Sequence, residues 1–509
     1  MSPIKWNVAA NFAGRGAAVF FSWVFVPLYI HFLGVEAYGL IGFYAVLQGV
    51  FAFADMGLSA TLNRELARLS ALENQSAQMR NLVRTLEFTF WGIGVILAIV
   101  VGSVATIIAR NWINTQSIPS ETITMAVRMM GIAMALQYPW TLYQGGLFGL
   151  QKQVLSNGIL ASMAALRGLG AVAVLWVSPT LLSYFCWQIL VNVSQALLAG
   201  NMLWRCLPKS MESVNASFSL FRDVWRYAAG MTGIAILSSI LIQMDKIIVS
   251  KMLSLEQFGY YSLASLVAQV PLILATPFSN ALFPRLTHLS TLGEQVVLTS
   301  LYHRTCQFVS VMVLAAGSTL VVFSREVMFF WTCNADTTAA SYRLVSLLMV
   351  GSMFLAIQSV PFTLSLAHGS TRFSLYVGIV LVMVMVPLIA TLVQLYGVLG
   401  ACFGWIILHA SATPVFVHLV HRRWMQGENK KWYMVDVGLP LFAAPIPVLS
   451  VYFIMPLDFS RVGLVFWLGL AFLLGLSAAA FAAPEVRGEI LLQVRRIRNV
   501  MKHQESEKL

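Results

Sequence analysis

Apolar runs long enough to cross a bilayer recur along the whole chain, at 8–32, 38–62, 86–109, 123–148, 154–178, 180–204, 225–250, 258–284, 304–325, 340–366, 374–396, 398–420, 434–455 and 462–482. A helix needs about 20 apolar residues to span the hydrocarbon core. Inside that core every backbone N–H and C=O must be bonded within the chain, so such runs fold as helices. The expected fold is an all-α integral membrane protein of about fourteen transmembrane helices. Composition agrees, with 59% hydrophobic and 10% charged residues, against about 45–50% and about 25% in ordinary globular chains. A soluble fold could not cover that much apolar surface, so a soluble enzyme is excluded. No A-x-A site follows the first run, and the stretch from Val8 to Phe32 reads as an uncleaved first helix.

The net charge of +12 would suggest nucleic acid on a soluble chain. Here the basic residues sit mostly in short loops between apolar runs, which is the pattern of positive-inside topology. With the N-terminus inside, 24 of the 32 Lys and Arg fall on inner segments or span ends. The other eight are Arg110, Arg128, Arg167, Lys246, Lys251, Arg325, Arg343 and Arg461. Both termini are therefore expected in the cytoplasm, and nucleic acid is not a partner.

Cys186, Cys206, Cys306, Cys333 and Cys402 form no C-x-x-C pair, so no metal or redox site is expected. There is no P-loop, no H-E-x-x-H and no catalytic triad. The reading is of a chain without a cofactor that is not an enzyme.

An internal repeat underlies the spans. "FLGVEAYGLIGFY" (32–44) aligns with "MLSLEQFGYYSLA" (252–264) at a shift of 220, pairing Leu33 with Leu253, Glu36 with Glu256 and Gly39 with Gly259. "RELARLSALENQ" (64–75) resembles "RLTHLSTLGEQ" (285–295), and "PWTL" (139–142) matches "PFTL" (361–364). Each repeat holds six spans, and an even number keeps both in one orientation, the parallel type of repeat that encloses a central site. The expected organisation is a six-helix bundle over 1–204, a cytoplasmic linker over 205–224, and a second six-helix bundle over 225–420. Two further helices follow within 434–482, and an amphipathic basic tail over 483–509. Ile490, Val494, Ile497 and Met501 give that tail an apolar stripe against five Arg and Lys, which suits the inner leaflet surface or a protein partner.

Several charges lie within spans. A charge at the bilayer centre costs at least about 2.5–3.5 kcal/mol on insertion scales, so each needs a reason to be there. Arg15, Arg128, Arg167 and Lys246 are the candidate substrate-binding residues, lining a water-filled cationic cavity for an anion. Arg suits phosphate because its planar fork makes two parallel charge-assisted bonds. Ion pairing between helices, such as Arg15 with Asp55, and snorkelling to the interface are the structural alternatives. Asp55, Asp245 and His409 are the candidates for coupling to an ion gradient, with a packing role the alternative for His409. Asp245 and Lys246 adjoin in sequence and should point to different helix faces. Prolines such as Pro139, Pro271, Pro361 and Pro387 lie within spans as static kinks or hinges.

The stretch from Asn7 to Ala67, with Pro27-Leu28-Tyr29, Leu33-Gly34, Glu36, Tyr38-Gly39 and Asp55-x-Gly57, resembles bacterial polysaccharide flippases of the Wzx type. Their superfamily also holds multidrug MATE exporters and lipid II flippases. "QMDKIIVSKMLSLEQFGYYSLA" is similar to the same family's signature at spans 7 and 8, carried here by Asp245, Lys246, Gly259 and Tyr260. The resemblance covers spans 1 to 12. It implies a V-shaped pair of six-helix bundles around a cationic cavity in the cell inner membrane. It implies transport of an undecaprenyl-pyrophosphate-linked glycan by alternating access, with membrane lipids, a polysaccharide polymerase and chain-length proteins as partners. Many Wzx-type proteins stop at twelve spans, whereas lipid II flippases have fourteen.

A MATE-like ion-coupled exporter of small molecules is the alternative transporter. The basic excess within the spans argues against it where the cargo is cationic. A scaffold for glycan-assembly enzymes is the non-transport alternative, and a membrane enzyme would need larger polar loops than these. A reporter fused at Leu509 is expected to read the cytoplasm; a periplasmic signal would overturn the orientation.

Overall fold

The computed structural model describes residues 14, 16–210, 236–237, 239–369, 371–456, 460–493 and 495. The fold is all-helical. In chain order the helices are α1 Gly16–Leu33, α2 Val35–Asp55, α3 Leu58–Ser70, α4 Ser76–Trp112, α5 Ser120–Gly149, α6 Gln153–Val177, α7 Leu181–Cys206 and α8 over 239–252. They continue as α9 Leu255–Val267, α10 Val270–Leu292, α11 Gln295–Val322, α12 Ser324–Thr332, α13 Ala335–Ala367, α14 Thr371–Tyr396, α15 Val398–Trp424, α16 Asn429–Ile454 and α17 Arg461–Ala482.

Among the described residues, 11 helices are long and apolar enough to cross a membrane, or up to 12 if the bent pair α9–α10 is one crossing. Two of the fourteen expected spans are outside even the larger count. Of the run at 225–250, residues 225–235 and 238 lie outside the described residues, and what is described of it is too short to count. The run at 123–148 is helical throughout as α5, but it is not apolar enough to count. Its surroundings explain why. More than half of α5 is buried against α3, α4, α6 and α7, so protein rather than lipid covers it and apolarity is not required all round.

The second span is shorter than its hydropathy suggests. The run at 38–62 breaks after Asp55, where Met56 and Gly57 both take the left-handed conformation (φ 48° and 73°). A new helix, α3, then starts. Leu58, Leu62, Leu66 and Leu69 of α3 are buried while Arg64 and Arg68 are exposed, so α3 is amphipathic rather than spanning. The 41° bend between α9 and α10 falls just before Pro271, which has no N–H to return to the preceding turn and disfavours helix at the residue before it.

The chain forms two compact units, Met1–Gly259 and Tyr260–Leu509. The division follows α8 rather than preceding it. Within the first unit, Trp112 Nε1 donates to Ser250 Oγ at 3.1 Å and Leu255 N to the Asn114 carbonyl at 2.7 Å, fastening the end of α8 to the loop after α4. Glu36 accepts from the Thr115 hydroxyl at 2.6 Å and the Gln116 N–H at 2.7 Å, tying the same loop to α2. In the second unit α11 is the central helix, packed by α10, α13, α16 and α17.

The repeat has a structural counterpart inside the first unit. A Cβ at Gly39 would lie 2.5 Å from the Leu255 carbonyl oxygen, and one at Gly259 would lie 2.5 Å from the Val35 carbonyl oxygen. Leu255 stands to Val35 in the repeat as Gly259 stands to Gly39. The contact is therefore reciprocal, as a local two-fold relation requires, and small residues let the two backbones approach. Overpacking of this kind costs about 1–3 kcal/mol. Gly39→Ala and Gly259→Ala are each expected to lower the thermal unfolding midpoint of the purified protein. Gly92→Ala, where a Cβ meets nothing within 4 Å, should not lower it.

Candidate functional site

Arg167 lies midway along α6, where the sequence reads Arg-Gly-Leu-Gly. The two glycines admit bulky neighbours. A Cβ at Gly168 would lie 2.1 Å from the Phe25 ring of α1, and one at Gly170 would lie 1.9 Å from the Trp187 ring of α7. Trp187 Nε1 also donates to the Arg167 carbonyl at 3.3 Å, which clamps the backbone of α6 against α7.

The guanidinium reaches across to α7. One terminal nitrogen donates to Gln188 Oε1 at 3.1 Å and the other to Gln195 Oε1 at 3.0 Å. Gln188 and Gln195 are seven residues apart, about two helical turns, and so share a face. Asn192 lies between them on that face and donates to the Ala133 carbonyl of α5 at 2.8 Å. All three are buried. Tyr29, Tyr44 and Tyr184 stand within electrostatic reach of the guanidinium. The Tyr44 hydroxyl donates to Gln137 Oε1 at 3.5 Å, and Gln48 Nε2 donates to the same oxygen. The result is a polar seam of amides and phenols within the first unit, with Arg167 as its cation among the described residues.

No carboxylate among the described residues forms an ion pair with Arg167. Two of its five N–H groups are used by neutral amides, leaving three. Neutral acceptors fix the direction of the fork without cancelling its charge. Half-buried and positively charged, the group is built to receive an anion, by the paired charge-assisted bonds that suit carboxylate or phosphate.

Arg15 lies outside the described residues. Arg128 is exposed on the first turns of α5. Lys246 and Asp245 turn out to face one another: Lys246 Nζ lies 3.3 Å from both oxygens of the buried Asp245 carboxylate and 3.4 Å from the Ile242 carbonyl. The adjoining pair thus meets instead of splaying to separate faces. Asp55 ends α2, where its Oδ2 accepts from the Ser59 hydroxyl at 2.9 Å across the left-handed turn. His409 is buried in α15 with its ring 4.2 Å from that of Trp405, edge to face.

Sequence reading missed Gln188, Asn192 and Gln195. Their signal is present as polar residues at i, i+4 and i+7 within the apolar run "FCWQILVNVSQALLAG", a stripe that lipid would not accept. Gln195→Glu would give Arg167 its missing counter-charge, and a charged acceptor is roughly twice as strong as a neutral one. The variant is expected to hold or raise the thermal unfolding midpoint. A clear drop would mean that the guanidinium is already neutralised.

Comparison with known proteins places this geometry in context. The family model described as polysaccharide biosynthesis protein matches residues 4–290. A protein of Shigella flexneri named as an O-antigen transporter is 21% identical over 383 residues, covering 74% of this chain and 87% of its own. The amylovoran biosynthesis protein AmsL of Erwinia amylovora is 23% identical over 393 residues, covering 75% and 97%. Among solved structures, the lipid II flippase MurJ in an inward closed conformation aligns with a TM-score of 0.69 at 13% identity, over 94% of this chain and 98% of that one. An inward-facing multidrug resistance MATE family transporter of the MOP superfamily aligns with a TM-score of 0.62 at 14% identity, over 82% and 99%. Those likenesses show a shared fold.

Proposed function

We propose, since the chain belongs to the polysaccharide biosynthesis protein family, that it is a flippase moving an undecaprenyl-pyrophosphate-linked oligosaccharide across the cell inner membrane for surface polysaccharide synthesis. The observation that carries this reading is the Arg167 guanidinium, held by Gln188 and Gln195 with no carboxylate paired to it among the described residues. A pyrophosphate head group cannot cross bare hydrocarbon, because an unpaired ion costs tens of kcal/mol by Born estimates. A fork already oriented by amide dipoles replaces part of its water shell without covalent chemistry. Such a protein need not be an enzyme. The lipid tail stays in the bilayer while the head group passes through the protein.

In this proposal the two six-helix repeats, 1–204 and 225–420, alternate between inward-open and outward-open states, with α16 and α17 outside the repeat. Both termini lie in the cytoplasm. Arg15 and Arg128 add positive charge to the path, while Lys246 contributes less because Asp245 holds it. Asp55, Asp245 and His409 are the candidates for ion coupling. A polysaccharide polymerase and chain-length proteins would take the product.

Arg167→Lys keeps the charge but loses the fork, so surface glycan export should fall below wild type. Arg167→Ala should fall further. Loss of a charged hydrogen bond is worth about 1.5–3 kcal/mol, which is about tenfold or more in rate. Gln195→Glu should export poorly although it folds, because its own carboxylate would occupy the fork. In each variant the lipid-linked precursor should accumulate on the inner leaflet. Wild-type export by Arg167→Ala at equal protein level would overturn the assignment.

A further inference from the structure

The second unit buries a cluster of titratable groups that the transport reading does not use. His303, on α11, is fully buried. Its Nδ1 contacts Asp436 Oδ2 on α16, and its Nε2 lies 3.0 Å from Glu428 Oε2, in the turn between α15 and α16. Asp436 is also fully buried, and its Oδ1 accepts from Gln307 Nε2 at 2.9 Å. Gln307 lies one turn beyond His303 on α11, and its Oε1 accepts the Glu485 N–H at 2.8 Å, just past the end of α17. Asp436 sits in a π-helical segment, Trp432–Gly438. Such widened turns occur mostly at functional sites.

Hydrogen-bond counting fixes the number of protons. A neutral imidazole has one N–H donor and one acceptor nitrogen, and an ionised carboxylate only accepts. Nearby His421 shows a ring that is satisfied when neutral. Its Nε2 lies 2.7 Å from the Tyr302 hydroxyl, which can donate, and its Nδ1 lies 3.1 Å from Asn429 Oδ1, which accepts. His303 has a carboxylate oxygen at each nitrogen. With a neutral ring and two ionised carboxylates, one nitrogen lone pair would face an oxygen lone pair in a buried site. Two hydrogen bonds among these three bases require two protons, one more than the neutral ring supplies.

We propose that His303, Asp436 and Glu428 form a proton-binding site, and that the bound proton fastens the α15–α16 turn to α11. This goes beyond the flippase reading and does not depend on it. Glu428 is the route of exchange, because its side chain is 32% exposed while those of His303 and Asp436 are not exposed at all. With the proton bound the triad carries one net negative charge; without it, two. The other groups that face the cluster are Tyr302 and Cys306 on α11, His421 on α15 and Lys431 on α16, with His418 beside His421 and Tyr433 beside Tyr302. Arg304, the next residue on α11, is engaged by Glu489 at 2.9 Å. Lys431 is thus the nearby cation with no carboxylate at ion-pair distance among the described residues. When the proton leaves through Glu428 to water, one of the two contacts must open. The exposed one, at Glu428, is the one that parts.

The test uses the full-length protein in lipid nanodiscs with ring-¹⁵N histidine, the His303 signals being assigned by their loss in His303→Gln. The expected result near neutral pH is protonation of both His303 nitrogens, or else a protonated-carboxyl infrared band that disappears in Asp436→Asn or Glu428→Gln. His421 should be neutral in the same sample. Raising the pH should remove the extra proton and lower the wild-type thermal midpoint, since the proton-bound form is the fastened one. Glu428→Gln can donate or accept at its amide, so its His303 should stay neutral and its midpoint should lose that pH dependence. A bare His303 nitrogen with no protonated carboxyl, in the folded wild type, would overturn the site. An identical pH dependence of the midpoint in wild type and Glu428→Gln would overturn the fastening role. Neither readout involves glycan export, so failure of the flippase reading would leave both intact.

Discussion

Within helices packed in a membrane, a charge has to be answered by another charge or by oriented dipoles, because water is not at hand. How each charge is answered separates scaffold from site. Arg84 is answered by Glu87 at 2.8 Å, and Glu87 in turn accepts from the Tyr143 hydroxyl at 2.8 Å and from Trp204 Nε1 at 3.3 Å. Lys246 is answered by its neighbour Asp245. Each of these cations is met by a carboxylate. Among the described residues, Arg167 is answered by amide oxygens and by no carboxylate. Its fork has a fixed direction and an open charge, and that difference, rather than depth in the span, singles it out.

The apolar runs made most of the fold legible, because lipid-facing helices have to be apolar throughout. α6, α7, α15 and α17 follow the hydropathy closely. Legibility failed where hydropathy and backbone conformation disagree. The run 38–62 stays apolar through the Asp55-Met56-Gly57 break, so only the positive φ of Met56 and Gly57 ends α2. It also failed where partners are distant in sequence. Arg167 could be picked out as a buried cation, but the Gln188 and Gln195 that hold it lie 21 and 28 residues further on. The partners of His303 lie 125 and 133 residues away, and a lone histidine near the start of a span gives no hint of them.

Repeats related in sequence need not be equivalent in surroundings. α4 and α11 hold the same place in their repeats, yet α4 shows lipid-type side chains such as Phe88, Ile96 and Ile99 on its surface, whereas α11 is largely buried. The difference has a cause in the chain. α16 and α17 have no counterpart in the first repeat, and both pack on α11. Covered on that side, α11 can bury His303 and Gln307 against protein rather than lipid. The extra helices and the buried polar cluster therefore imply one another: the cluster needs their cover, and Asp436 and the Glu485 N–H come from α16 and from the chain just after α17.

The choice of glutamine beside Arg167 also bears on how a transporter of the proposed kind must work. A binding group on a transport path has to be attractive enough to be entered and weak enough to be left. A carboxylate at position 188 or 195 would hold the guanidinium more firmly, but an arriving phosphate would then have to displace an anion already seated. An unheld guanidinium would sample many rotamers, and ordering it on arrival would offset part of the attraction. The amides avoid both penalties. They spend two N–H groups on fixing the plane of the fork, leave three for the cargo, and accept without adding charge. Gly168 and Gly170 complete the arrangement by letting the Phe25 and Trp187 rings close on α6 on either side of the arginine. The side chain is thereby fixed through its backbone as well as its tip, and its open charge is a property of the fold before any cargo arrives.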